Sequence, residues 1–184
     1  MDNKEMTEKI ILSFLMHTPS LLFDDKYPIK AKDFSKKVYK QMYSAMLNLY
    51  ARGNTDIQPQ EVIMQIGKSA SAFKEFQEAR GEGLLNEINN LNYNAYDYDI
   101  QYSNLKKYSL FQDLRDSGIE ISDLYNPLAE PDKAMAMADK IDNMSYKEII
   151  DHYREKIAKI EDRYENFIEK SGIEAGEGLD DLLH

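Results

Sequence analysis

The chain of 184 residues contains 23 Lys and Arg against 33 Asp and Glu, a formal net charge of −10, and it contains no Cys. The acidic charge repels a phosphate backbone, so the protein as a whole does not form one nucleic-acid-binding face, and the lack of Cys excludes disulfides and Cys-based zinc sites. Residues 1–5 carry no signal-peptide pattern and the apolar stretch Ile10–Met16 is too short to cross a bilayer, which predicts a cytoplasmic protein without a membrane contact.

Apolar residues recur every three or four positions through the first half of the chain, as on the buried face of a helix. Pro19 ends the first of these helices, and Ser20 is placed to cap a short helical turn after it. The strongest pattern ends at Gly53, which suits the left-handed position that stops a helix. The predicted helices in this half cover residues 6–17, 39–52, 60–66, 69–80 and 84–91.

Two segments of the first half carry loop signals. The sequence Gly81-Glu82-Gly83 predicts a break between the fourth and fifth helices, because glycine weakens a helix interior. Residues 89–99 are rich in Asn, Tyr and Asp and predict a connecting loop. The tyrosines between Tyr93 and Tyr108 suit a core or a protein interface better than stacking on single-stranded nucleic acid, because Asp97 and Asp99 stand among them.

The second half of the chain predicts a helical hairpin. A longer helix begins near Asp99, and its apolar pattern continues to Tyr125, with Gly118 as a candidate interruption. The pair Asn126-Pro127 ends this run, and Pro131 opens a return helix that reaches residue 144. Two antiparallel helices joined by a short Pro-bounded loop form such a hairpin.

The last predicted helix begins at Ser145, whose hydroxyl forms a Ser-x-x-Glu capping box with Glu148. This helix reaches residue 170. The helix carries a narrow stripe of apolar side chains, which either contacts a partner protein or packs against the rest of its own domain. Residues 171–184 contain four acidic residues and no Lys or Arg, which predicts an acidic flexible tail. The stripe, here called the terminal seam, consists of Tyr153, Ile157, Ile160 and Tyr164.

No alternating apolar pattern of strand length appears with turn signals on both sides, so the sequence predicts an all-α fold. A small helical globular domain (residues 1–95) is followed by the helical hairpin (96–144), the long amphipathic helix (145–170) and the tail (171–184).

The sequence predicts no catalytic, cofactor or metal site. The run Gly67-Lys68-Ser69 imitates the end of a phosphate-binding loop, but Val62 stands where that motif needs a glycine, and no strand leads into it. Nothing singles out a pair of carboxylates for general acid–base work, so a hydrolase or nuclease is the least favoured alternative. The three His residues, His17, His152 and His184, have no neighbours at ligand spacing.

The segment Lys26–Lys40 is the basic part of the chain, because residues 26–52 hold six Lys and one Arg against Asp33 alone. Lys36, Lys37 and Lys40 are predicted to form the solvated face of the second helix. A weak electrostatic contact with DNA or with an acidic partner protein is the functional interpretation of this segment.

Three blocks of residues follow one another in a defined order. The first is the opening Glu8-Lys9-Ile10-Ile11-x-x-Phe14-Leu15. The second is Tyr39-x-x-Met42-Tyr43-x-x-Met46-x-x-Leu49-x-x-x-Gly53, followed by Asp56-Ile57 and a helix around Glu61-Val62. The third is Leu84-Leu85-x-Glu87-Ile88, then Tyr102-x-x-Leu105-Lys106-Lys107 and on through Leu110, Leu114 and Ile121. Together these blocks span residues 7–125 and resemble the N-terminal domain of DnaB-family replicative DNA helicases.

The resemblance implies a non-catalytic scaffold that organises a hexameric ring and receives partner proteins. In that family a helical hairpin packs against its counterpart in a neighbouring subunit, so residues 96–144 are expected to self-associate into a dimer or hexamer. A linker helix, matched here by residues 145–170, then docks on the motor domain of a neighbouring subunit. The residues expected to self-associate are Tyr102, Leu105, Leu110, Leu114 and Ile121, and those expected to dock the linker are Tyr153, Ile157, Ile160 and Tyr164.

The resemblance also implies that primase or a helicase loader binds this module, with DNA contact weak or indirect. ATP and Mg would belong to a RecA-like motor domain expected after the tail, so no cofactor is expected in this chain. Asp56 stands before Ile57, where the family places its Asp after the apolar residue, and Gly118 and the loop at residues 89–99 are also atypical. These departures favour a phage-encoded member acting in the cytosol of an infected bacterium. The alternative is a stand-alone replication adaptor or inhibitor that binds a helicase or loader.

Overall fold

A computed structural model describes residues 3–171, except the side chains of Ile160 and of residues 164–171. These described residues form eight α-helices and three short 3₁₀ turns and contain no strand, which confirms the all-α prediction for this part of the chain. The predicted tail lies outside the described residues from residue 172 onward. The helices are α1 (Asn3–His17), α2 (Lys37–Ala51), α3 (Pro59–Ile66), α4 (Ala70–Glu78), α5 (Gly81–Asn89), α6 (Tyr98–Asp116), α7 (Pro131–Asn143) and α8 (Tyr146–Ser171).

The chain divides into two units, residues 1–142 and residues 143–184. The first unit holds α1–α6 and α7 as far as Asp142, so the predicted division near residue 96 falls inside it. The described part of the second unit consists of α8 and the three residues before it. Among the described residues, no helix is both long and apolar enough to cross a membrane.

Helix α1 is the central helix of the first unit. It packs against α2, α5 and α6, and its side chains Ile11, Leu12 and Leu15 are fully buried. Because other helices surround α1, the charged residues Glu8 and Lys9 near its middle are buried as well. Buried charges are costly unless they are paired, so these two side chains need partners inside the protein.

Both charges have such partners. The Lys9 ammonium lies 2.8 Å from Glu87 Oε1 on α5. The Glu8 carboxylate accepts hydrogen bonds from the backbone N–H of Ser35 at 2.6 Å and from its hydroxyl at 2.8 Å. Burial raises the pKa of Glu8, although the bonds from Ser35 oppose this effect. These contacts connect α1 to α5 and to the segment that leads into α2.

Helix α2 ends at the glycine that the sequence singled out. Gly53 has a φ of +92° and its N–H donates to the Tyr50 carbonyl at 2.9 Å, while the N–H of Asn54 donates to the Leu49 carbonyl at 3.1 Å. These two bonds define a Schellman motif, in which a left-handed glycine lets the chain satisfy the last helical carbonyls.

A second Schellman motif ends α6 and corrects the predicted length of that helix. Gly118 has a φ of +81°, its N–H donates to the Arg115 carbonyl at 2.9 Å, and the N–H of Ile119 donates to the Leu114 carbonyl at 3.0 Å. The helix therefore stops before Gly118 and does not continue to Tyr125.

Two predicted details of the first half are wrong. The turn after α1 is a 3₁₀ turn that starts at Pro19, so Ser20 is not its cap; a proline suits the first position because its missing N–H would have no partner there. Helix α5 begins at Gly81, so Gly81-Glu82-Gly83 belongs to the helix, and the chain turns at Arg80, with a φ of +54°. A methyl group on Gly81 would overlap the ring of the fully buried Phe76, so glycine is required for α5 to start against α4.

The two glycines of α5 provide a matched test. We expect Gly81→Ala to reduce the free energy of unfolding by about 1–3 kcal/mol, because the added methyl group must displace the buried Phe76 ring. We expect Gly83→Ala to raise it by up to about 1 kcal/mol, because no atom lies within 4 Å of a Cβ there and alanine favours a helix. Urea denaturation followed by circular dichroism measures both values. Equal effects of the two substitutions would contradict the close contact at Gly81.

Candidate self-association surface

A buried cation joins the two helices of the hairpin, here defined as α6, residues 117–130 and α7. Lys107 on α6 is 5 % exposed, and its Nζ donates to the carbonyls of Ile141 at 3.2 Å and of Asp142 at 2.9 Å. These carbonyls belong to the last turn of α7, where helical donors are missing and the helix dipole favours a positive charge. The Lys107 ammonium therefore fixes the end of α7 against α6.

Neighbouring side chains complete this contact. Asn104, one turn before Lys107, accepts a third hydrogen bond from the ammonium at 3.3 Å. The Tyr108 hydroxyl lies 3.5 Å from the carboxylate of Asp142. Burial raises the pKa of Asp142, and the positive charge of Lys107 opposes that rise. The end of α7 thus packs against a group of polar side chains on one face of α6.

Residues 121–125, between the two helices, form an irregular but buried segment. Ile121, Leu124 and Tyr125 are buried. The Tyr125 ring lies 5.3 Å from the Phe111 ring and 5.6 Å from the Tyr108 ring, both on α6. Aromatic pairs at such distances stabilise beyond the area that they bury. The apolar pattern that predicted a longer helix therefore reflects the burial of residues 121–125, which are not helical.

The tip of the hairpin, residues 126–131, is a defined turn. The N–H of Leu128 donates to the Asn126 side-chain oxygen at 3.0 Å, and the N–H of Ala129 donates to the Asn126 carbonyl at 3.2 Å. This is an Asx turn, and Pro127 and Pro131 restrict the backbone on either side. The Leu128 side chain is 94 % exposed, more than any other large apolar side chain in the described part of the chain.

An open groove of about 340 Å³ lies between this tip, the side of α7 and the start of α1 at Asn3. Its lining is mostly apolar and includes Tyr125, Pro127, Pro131 and Met135. Met135, on the first turns of α7, is 65 % exposed. The tip therefore combines a protruding apolar side chain with an apolar groove beside it.

The five residues predicted to self-associate lie elsewhere and are largely covered by the chain itself. Leu105 is fully buried, and Leu110 and Ile121 are buried as well. Leu114 and Tyr102 are half-buried, and the Tyr102 hydroxyl donates to the Pro28 carbonyl at 3.0 Å. Self-association through these five residues stays a prediction, although Leu105 has no exposed surface to offer.

Sequence reasoning missed Leu128 and placed Met135 only as a residue of the return helix. The sequence does place a large apolar residue, Leu128, directly after Pro127, in a segment whose composition predicts a loop. A side chain there has no helix or strand periodicity that would direct it into the core. Its exposure could therefore have been suspected, but not its position next to a groove.

Residues 1–98 match the family model described as the DnaB-like helicase N terminal domain. The chain belongs to this family. A relative from Bacillus subtilis (strain 168), described as a SPbeta prophage-derived uncharacterized protein YorI, is 27 % identical over 175 residues. This likeness covers 94 % of the chain and 34 % of the relative, so the chain spans about a third of that protein's length. No solved structure matches the chain.

The DnaB-like match ends where α6 begins, so the predicted linker helix lies beyond it. The capping box that starts α8 is present: the Ser145 N–H donates to Glu148 Oε2 at 2.7 Å, and the Glu148 N–H donates to the Ser145 hydroxyl at 3.2 Å. Within the terminal seam, Tyr153 is 2 % exposed and Ile157 is 44 % exposed. The side chains of Ile160 and Tyr164 lie outside the described residues.

The basic segment Lys26–Lys40 is largely neutralised by carboxylates from other helices. Four of its lysines reach carboxylates on α1, α4 and α6, so their positive charges are balanced by nearby acids. Burial raises the pKa of Glu5, but hydrogen bonds from Lys36 and Tyr39 outweigh it and bring that pKa below its ordinary value. The pairs are Lys26 with Asp99 at 3.6 Å, Lys32 with Asp113 at 2.8 Å, Lys36 with Glu5 at 2.8 Å and Lys37 with Glu75 at 2.7 Å.

The run Gly67-Lys68-Ser69 connects two helices and does not form a phosphate-binding loop. Lys68 Nζ donates to the Gln65 side chain at 2.6 Å, and the Ser69 hydroxyl accepts from the Ala72 N–H at 3.3 Å as the cap of α4. Among the described residues, no group of three or more His, Cys, Asp or Glu side chains could hold a metal ion.

Replacing the buried cation of the hairpin tests its role. We expect Lys107→Met to reduce the free energy of unfolding by roughly 2–4 kcal/mol, because methionine fills similar space but leaves the Ile141 and Asp142 carbonyls without a donor. Amide hydrogen exchange should accelerate in α7 before it does in α2. Lys140→Met, at an exposed position of α7, is the control and should change stability by less than about 0.5 kcal/mol. If amide exchange in α7 is the same in Lys107→Met as in the wild type, the Lys107 contact does not hold α7 in place.

Proposed function

We propose that this chain is the N-terminal part of a replicative DNA helicase of the DnaB type. In this proposal it is a non-catalytic module that helps to organise a hexameric ring and that receives primase or a helicase loader. The observation that carries the proposal is the family match over residues 1–98. Unwinding, ATP and Mg would belong to a motor domain outside this chain.

The extent of the likeness to the prophage-derived relative supports the proposal. That likeness continues through α6, α7 and much of α8, because it covers 94 % of the chain. About two thirds of the relative lie outside it. A protein of that length has room for a motor domain besides a module of this kind, as a DnaB-type arrangement requires.

The exposed apolar side chains beyond the matched residues suit an assembly role. Leu128, Met135 and Ile157 each keep at least 44 % of their surface exposed. Contiguous apolar surface marks protein contacts, and Met135 lines the groove beside Leu128. In the proposed assembly, the hairpin supplies the contact between N-terminal modules and α8 supplies the contact with a neighbouring motor domain.

Charge introduced into the terminal seam tests the linker role. We expect the double change Ile157→Asp and Ile160→Asp to weaken assembly with the motor domain, because a carboxylate cannot enter an apolar contact without losing its hydration. The free energy of unfolding of the N-terminal unit should change by less than about 0.5 kcal/mol. The measurement is the mass of the complex formed with a separately expressed motor domain, by light scattering, alongside thermal unfolding. Ala158→Asp is the control, because Ala158 is exposed, lies next to the seam and gains the same charge as each seam position.

Two outcomes would contradict this proposal. If the double variant loses cooperative unfolding, the seam belongs to the interior of its own domain. If wild-type chain binds a separate helicase or loader but neither itself nor a motor domain, it is a stand-alone adaptor or inhibitor. The reading frame after the codon for His184 gives an independent check, since a GxxxxGK[ST] motif there favours the helicase.

A further inference from the structure

We propose that the surface around Gln65 binds an acidic peptide segment of a partner protein, whose carboxylates pair with Arg52 and Lys68 and whose main chain lies in a polar groove beside them. This surface, here called the Gln65 surface, consists of Arg52, Lys68 and the groove between α2, α3 and α4. The inference rests on the proposed function, in which the module receives a partner protein, and it adds the chemistry of the partner and the residues that contact it.

Two cations converge on one neutral oxygen at the Gln65 surface. The guanidinium of Arg52, which follows α2, lies 3.5 Å from Gln65 Oε1, and the Lys68 ammonium donates to the same oxygen at 2.6 Å. The two positive groups therefore lie within about 6 Å of each other. Like charges at that distance repel, whereas a carboxylate placed between them is attracted to both.

The two cations keep their positive charge. Within the described part of the chain, neither Arg52 nor Lys68 forms an ion pair, in contrast to the four paired lysines of the basic segment. Glu61 on α3 instead caps the start of that helix, where it accepts from the Asn54 side chain at 2.9 Å and from the Gln58 N–H at 2.9 Å. The Gln65 surface is thus a local positive site on a chain whose net charge is −10.

A polar groove of about 170 Å³ adjoins the cation pair, because Gln65 belongs to its lining. No residue of the lining is charged or aromatic. Amide and hydroxyl groups both donate and accept hydrogen bonds, as the main chain of a bound peptide requires. A volume close to the roughly 150 Å³ left by one deleted leucine accommodates one or two residues of an extended peptide. The amide and hydroxyl side chains of the lining are those of Gln41, Ser44, Asn48, Gln65 and Ser69.

An acidic peptide suits this surface better than a nucleic acid does. Single-stranded nucleic acids stack their bases on aromatic side chains, and the groove lining contains none. A long phosphate backbone is repelled by the net charge of −10, whereas a short acidic segment brings few charges and meets the cation pair locally. Glu75, which accepts from Gln41 of the lining, is balanced by Lys37 at 2.7 Å, and this pairing reduces its repulsion of such a segment.

An NMR titration of the full chain tests where the peptide binds. The probe is an acetylated and amidated eight-residue peptide of alternating Asp and Ser, added to ¹⁵N-labelled protein. We expect the shift changes to concentrate on backbone amides of residues 41–53 and 64–72, which form the groove and carry the cation pair. Shift changes confined to other helices would overturn the proposal.

A charge variant tests the cation pair. Exposed ion pairs are each worth up to about fivefold in affinity, so we expect the double change Arg52→Gln and Lys68→Gln to raise the Kd for the peptide roughly 10-fold. The control is the double change Lys133→Gln and Lys140→Gln, at exposed positions of α7, which alters the net charge equally and should leave the Kd within about twofold. Circular dichroism should show unchanged helix content in both variants.

A neutral variant tests the groove at constant charge. The double change Ser44→Ala and Asn48→Leu removes a hydroxyl and an amide, and leucine is close to asparagine in size. Because one hydrogen bond contributes about twofold to tenfold, we expect the Kd for the peptide to rise roughly fivefold. If the charge variant weakens binding but this neutral variant does not, the surface is a bare pair of cations and the proposed peptide groove is wrong.

The remaining outcomes separate this inference from the proposed function. If the wild-type chain does not bind the peptide, or if the charge variant binds it as tightly as the wild type does, the inference fails. Ring assembly, which is measured with the separate motor domain, is not affected by that result. An oligothymidylate with the same number of negative charges is titrated in parallel. If it binds the Gln65 surface more tightly than the peptide does, the occupant is a nucleic acid and the proposal is overturned.

Discussion

The buried ammonium of Lys107 is the interaction on which the shape of the hairpin depends. Helix α6 is held by the core through Leu105, whereas the last turn of α7 is tied to it through hydrogen bonds from one lysine to two backbone carbonyls. A cation in that place satisfies acceptors that a helix end leaves open. The tip that carries Leu128 lies in the chain between α6 and the end of α7, so the hydrogen bonds of Lys107 restrict where the tip can lie.

Charge in this protein serves mainly to join helices. Glu8 and Lys9 are buried on α1 and paired with other elements, and Lys26, Lys32, Lys36 and Lys37 pair with acids on α1, α4 and α6. Exposed pairs of this kind contribute little individually, but they neutralise much of the basic segment that the sequence assigned to a contact with DNA or an acidic partner. Among the described residues, the most exposed large apolar side chain, Leu128, lies at the hairpin tip.

Glycine and capping-box signals at helix ends were correct, whereas Ser20 as a cap was wrong because Pro19 starts that turn. Long-range packing explains the other failures. Gly53 and the Ser145 capping box act within one helical turn, so the sequence predicts them correctly. Gly81 could not be predicted as a helix start, because its role depends on the Phe76 ring of another helix. Likewise, helical spacing shows that Leu105 faces something apolar but not whether that surface belongs to the same chain. Leu128 is exposed because it lies in a turn, and the spacing of apolar residues does not predict which side chains of a turn are exposed.

The central claim is the proposal that the hairpin associates with a second copy of the chain. Amide hydrogen exchange of the wild-type chain, measured at low and at high protein concentration, tests it most directly. The account predicts that added protection at high concentration is confined to residues 125–138, where the tip and the start of α7 lie. Added protection on α2–α4 alone, or no change with concentration, would contradict it.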